Sequence, residues 1–217
     1  VVTSSNSDTQ VVTSNSTFGT GEATVPFGSD SYTALLLNGD EVYGSGATFT
    51  ATKGGSGTGS VGAAGTVTIT KGDGTVGTTN PAERQGVSAF GANSYYFDGG
   101  DYLTAAASAD WNLAGTKTWT LEWWMKTTNT ASGWQRVLQH AQQSGAGWCV
   151  RFYDTAKYIG FGRSDRNAQQ LQNSSATMEN DTWYHVAFQN DYSDGKSKAS
   201  YFLNGEKVAS GNLANTY

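Results

Sequence analysis

Residues 118–126 read TWTLEWWMK. In an extended chain successive side chains point to opposite faces. Trp119, Leu121, Trp123 and Met125 therefore share one face, and Thr118, Thr120, Glu122, Trp124 and Lys126 share the other. Such alternation marks a half-buried β-strand with one face turned to a core. Trp124 breaks the pattern as an aromatic on the polar face. Residues 182–190, TWYHVAFQN, repeat the arrangement. Tyr184, Val186 and Phe188 point inward there, and Trp183, His185 and Gln189 point away. One core is thus expected to hold Trp119, Leu121, Trp123, Met125, Tyr184, Val186 and Phe188.

The rest of the chain offers more short strands. ATFTAT at 47–52 and TVTIT at 66–70 alternate, and SYYFDGGDYLT reads as two short strands around a Gly-Gly turn. WQRVLQH, WCVRFY and KYIGFGR follow, around Trp134, Trp148 and Tyr158. TALLLN at 33–38 reads as a buried strand. Asp194-Gly195 and Asn204-Gly205 are hairpin signals, because such turns need positive φ, which Gly adopts readily. The chain has 28 Gly and only 2 Pro, and no segment shows the apolar period of a helix. Many short strands with turn signals between them indicate a sandwich or barrel. Residues 1–30 differ, being rich in Ser, Thr and Asn, with VVTS at Val1 echoed at Val11. They hold too few apolar groups to offset their ordering entropy. The expected organisation is an extended tail or linker over 1–30 and an all-β, antiparallel sandwich over 31–217. The two Val-Val-Thr segments are expected to pair with a neighbouring subunit or partner chain.

Net charge is −5 and no Lys/Arg stripe is present. That argues against nucleic acid, which calls for a basic footprint. No apolar run approaches the roughly 20 residues of a spanning helix, and no signal peptide is legible at the start. The chain opens on Val1, as a processed product or a piece of something longer would. Cys149 is the single cysteine, so no intrachain disulfide can form. This fits assembly in a reducing cytosol, as for a virion, or export from a bacterium. Asn15, Asn173 and Asn180 stand in N-x-Ser/Thr sequons, which carry meaning only in a eukaryotic secretory host.

YYFDGGDYLTAAASADWNLAGTKTWTLEWWMKT, with the later WYHVAF and YFLNGEKVAS, resembles the laminin G-like, concanavalin A-like jelly rolls. YTALLLNGDE resembles the first strand of versions common in phage and bacterial surface proteins. The resemblance covers 32–217 and implies a jelly-roll β-sandwich. The family normally continues for several strands past the Asn-Gly-Glu hairpin, so the C-terminal strands are expected to be missing. That would leave open edges, at which another chain can add a strand.

Some enzymes of this fold are glucanases that carry Glu-x-Asp-x-x-Glu on one strand. Retaining hydrolysis places two carboxyls about 5 Å apart. Glu122 has no acidic partner on its strand, Glu83 and Glu179 read as loop residues, and neither His140 nor His185 has a nucleophile nearby in sequence. The chain is expected not to be an enzyme. Family members often bind calcium at the sandwich rim, through hard oxygen ligands. Asp98 with Asp101, and Asp191 with Asp194, are the weak calcium candidates, each pair flanking a turn. Turn residues that bond their own backbone are the simpler reading, and no cofactor is required. Sugars stack on exposed aromatics, so Trp124, Trp183 and His185, with Arg163 and Asp165 from a polar loop, are the candidate ligand residues. The expected role is a structural or adhesive module of a virion, fibre or bacterial surface assembly. The alternative is a lectin-like module for a host-surface polysaccharide. The partners would be copies of itself or other structural subunits, and cell-surface glycan, at a virion or extracellular surface.

Overall fold

A computed structural model describes residues 2–4, 10–12, 37, 48–53, 65–73, 82–85, 89, 93–97, 99–108, 111–128, 133–140, 147–163 and 170–213. Every regular element longer than a single turn among them is a β-strand, and every pairing is antiparallel. Internal contacts divide the chain into Val1–Ala107 and Ser108–Tyr217.

In the first unit β1 (Val2–Ser4) pairs with β2 (Gln10–Val12), placing Val2 opposite Val12. The two Val-Val-Thr segments thus pair with each other. β3 (Thr48–Lys53), β4 (Gly65–Asp73) and β7 (Asp101–Ala105) form a three-stranded sheet in that order. β4 alternates as a one-sided strand should, with Ile69 buried between exposed Thr68 and Thr70. Gly72 lies opposite Tyr102, whose exposed ring lies across the glycine, so a larger residue there would displace the ring.

β5 (Ala82–Gln85) pairs with β6 (Asn93–Tyr96). Glu83 is therefore a strand residue opposite Tyr95, not a loop residue, because pairing with β6 outweighs its own weak strand preference. The two strands around Gly99-Gly100 exist, but β6 turns to β5 and β7 to β4. Leu37 lies outside any strand and is 37% exposed, which removes it from the expected buried strand. The remainder of 33–38 lies outside the described residues.

The second unit is a β-sandwich of two four-stranded sheets. One is the meander β9 (Trp134–Gln139), β10 (Trp148–Tyr153), β11 (Tyr158–Arg163) and β12 (Leu171–Gln172). The other has the order β15 (Glu206–Gly211), β14 (Lys198–Leu203), β13 (Tyr184–Asp191) and β8 (Trp119–Met125). The chain leaves β8, builds the first sheet and returns, so β8 meets β13 across a long sequence separation. This is the jelly-roll type of sandwich.

The facing sides interdigitate in one core. Phe161 of the first sheet lies 5.8 Å from Phe188 of the second and 5.1 Å from Trp119, ring centre to ring centre. Val186 and Phe188 are fully buried, and Trp119, Leu121, Trp123, Met125 and Tyr184 pack against them half-buried. All seven residues expected in one core are in it. Buried Asn190 ties the periphery together. Its amide donates to Gly115 O at 3.0 Å and Lys117 O at 2.6 Å, and its oxygen accepts from the Ser197 hydroxyl at 2.7 Å. Satisfied buried polar groups of this kind fix one arrangement of the surrounding loops.

Candidate functional site: the outer face of β8 and β13

Alternation that sends Leu121 and Trp123 inward sends Glu122 and Trp124 outward. The register of β8 with β13 places His185 opposite Trp124 and Ala187 opposite Glu122. The Trp124 and His185 rings lie 5.2 Å apart, tilted by 39°. His185 Nε2 also approaches Glu122 Oε2 at 3.4 Å. Beside this cluster the Lys126 ammonium stands 5.7 Å from the centre of the Trp183 ring, a cation–π distance. Trp124, Trp183 and His185 are all half-buried, and Glu122 is exposed. The main chain of His185 is locked to the β14–β15 turn: its N–H donates to Asn204 Oδ1 at 2.9 Å, and its carbonyl accepts from Asn204 N at 2.8 Å.

Phe202 belongs to the same face, although sequence reasoning passed over it. It lies opposite Ala187 while its neighbours Tyr201 and Leu203 turn to the core. The signal was the alternation of Ala199, Tyr201 and Leu203, which leaves Phe202 outward. A second aromatic group was read only as a set of strand centres. Trp134, Tyr153 and Tyr158 contact one another at 4.8 to 5.6 Å on the non-core side of β9, β10 and β11. Further along that side Cys149 and Arg151 are buried.

The other expected residues do not join Trp124. Arg163 ends β11 opposite Trp148, on the other sheet, and shares its side of the strand with core-facing Phe161. Asp165 and Asp98 lie outside the described residues. Asp101 begins β7 opposite Asp73 in the first unit. The Ser193 side chain and Ser193 N, which donates to Asp191 Oδ1 at 2.8 Å, hold the Asp191 carboxyl below its ordinary value. Asp194 is held low chiefly by Lys198, whose ammonium is 2.6 Å away, and it also accepts from Lys196 N. Both aspartates thus shape the β13–β14 turn. Among the described residues no group of three or more His, Cys, Asp and Glu is arranged to hold a metal.

Chemically, the face offers stacking surfaces, one carboxylate, one imidazole and one ammonium. Glu122 has Thr120 and Trp124 beside it on its own strand and Ala187 across from it on β13, so among these described neighbours there is no second carboxyl. His140 instead stacks near Trp148 at 6.2 Å. The Asn173 side-chain nitrogen donates to Val208 O at 2.7 Å, so that sequon asparagine serves as an internal brace. No helix of the described residues is long and apolar enough to cross a membrane.

No curated protein and no solved structure matches the chain. The sequence profile of the concanavalin A-like lectin/glucanases superfamily, in its third laminin G type, matches residues 97–217. That match spans more than half of the chain, including both sheets of the sandwich and the Trp124–His185 face, and the chain belongs to this superfamily.

Proposed function

We propose that the chain is a non-enzymatic adhesive module of a surface assembly, a virion fibre or a bacterial surface filament, and that it holds cell-surface polysaccharide. One observation carries the reading. The register of β8 with β13 gathers Trp124 and His185, both half-buried, with exposed Glu122 on the outer face of the sheet, beside Trp183 and Lys126. Aromatic faces take the apolar side of a sugar ring, and the flanking carboxylate and ammonium can bond its hydroxyls. Membership of a superfamily named for lectins and glucanases supports a carbohydrate ligand. The solitary Glu122 supports binding without hydrolysis, since glycoside cleavage employs two carboxyls. The likeness of YTALLLNGDE to phage and bacterial surface versions supports the setting. Its partners there are copies of the chain or other structural subunits, and it uses no cofactor.

The test is a glycan array probed with the wild-type chain, Trp124→Ala and Trp183→Ala. The wild type should bind a restricted set of polysaccharides. Each variant should lose about tenfold in affinity, the equivalent of one aromatic contact. Failure to bind any glycan would overturn the reading. Turnover of a bound glycan that disappears in Glu122→Gln would overturn its non-enzymatic part.

A further inference from the structure

A groove of about 380 Å³ opens between the turn after β12 and the β14–β15 hairpin. Ser175 and Thr177 stand on one wall, Asn204 and Glu206 on the other, and Leu203 and Val208 line it as well. The walls are braced. Asn173 donates to Val208 O at 2.7 Å and accepts from Ser175 N at 2.9 Å, which fixes the turn against β15. Asn204 gives its side-chain oxygen to His185 N–H, which leaves its amide NH₂ for a ligand.

We infer that this groove seats one neutral sugar residue. Its polar groups are two hydroxyls, one carboxylate and two amides, of which that of Asn173 is committed to the brace, beside the aliphatic Ala176, Leu203 and Val208. A sugar hydroxyl both donates and accepts, so such a set can satisfy neighbouring hydroxyls together, while Leu203 and Val208, packed against the core, form the floor beneath them. An anionic sugar is disfavoured by Glu206, since no Lys or Arg lines the groove among the described residues. A bare cation is disfavoured by the single carboxylate. Asn204 is common to the groove and the aromatic face, because it also anchors His185, which lies against Trp124. A chain lying across Trp124 and His185 can therefore place another residue in the groove. The inference rests on the glycan-binding reading for the class of ligand, and on the groove alone for its place.

The experiment is an amide NMR titration of the full chain with four probes. Three are neutral: methyl β-glucoside, methyl β-galactoside and methyl N-acetyl-β-glucosaminide. The fourth is methyl β-glucuronide. At least one neutral glycoside should give saturable shifts at Ser175, Thr177 and Glu206, with affinity on the order of millimolar. Glu206→Ala and Thr177→Val, both exposed positions, should weaken it about tenfold while the remaining spectrum stays intact. Trp124→Ala should leave these shifts in place. Absence of saturable shifts at the groove with all three neutral probes would sink the inference. Glucuronide binding as tight as the neutral glycosides, or unchanged affinity in both groove variants, would do the same. Shifts confined to Trp124 and His185, or lost in Trp124→Ala, would put the sugar on the aromatic face. That result would remove the groove and leave the proposed function standing.

Discussion

Tyr201 is fully enclosed in the sandwich core, 4.7 Å from the Phe188 ring, and its hydroxyl has no hydrogen-bond partner among the described residues. Burial pushes the phenol well above its ordinary value. Only the unfolded chain can then ionise this group as pH passes about 10. The stability it contributes is complete below that pH and is lost as pH rises toward the folded value. Tyr201→Phe keeps the ring and deletes an unsatisfied hydroxyl whose burial costs about 1–3 kcal/mol. Urea unfolding should show the variant at least as stable as wild type near neutrality. Between about pH 8 and pH 11, across the phenol's ordinary range, it should lose less stability than wild type. A clear loss of stability near neutrality would mean that the hydroxyl has a partner after all. At this scale alternation made Trp124 legible as an outward aromatic, whereas Asn190 was not, because its three partners are gathered from distant loops.

The β14–β15 hairpin shows how much an element can announce of itself. Asn204-Gly205 was readable as a two-residue turn, and both residues do take positive φ, 52° and 81°. A Cβ at Gly205 would meet nothing within 4 Å, so the backbone angle alone decides the effect of a substitution there. Gly205→Ala should cost about 1–2 kcal/mol, the price of a left-handed conformation for an L-residue, measurable as a lowered urea midpoint. A neutral outcome would show that the turn relaxes to another type. Elements without such turn chemistry were less legible. Leu37 sits in a run that reads as a strand, and Glu83 in one that reads as a loop. Glu83 is decided by its pairing with β6, which local preference does not contain.

For the molecule as a whole, the sandwich was legible because two strands, β8 and β13, carry the whole contrast between core face and outer face. Their pairing, which turns Trp124 and His185 into one site, was not legible. The residues they contribute are about sixty positions apart, a separation that alternation cannot bridge. The groove was less accessible still, since its walls are the 173–177 turn and the 203–208 hairpin. No motif in either stretch points to the other.

Cys149, the chain's one thiol, is completely buried on β10, between β9 and β11. A thiol so placed reacts only when its strand opens, which makes it a built-in gauge of opening at the centre of this sheet. Under native conditions a thiol reagent should label it far more slowly than a free cysteine. In mild urea the labelling rate should climb with the equilibrium population of the open form. Prompt labelling of the folded chain would show that β10 opens locally. If the module does bear mechanical load on a surface, the same thiol would record how often its sheet yields.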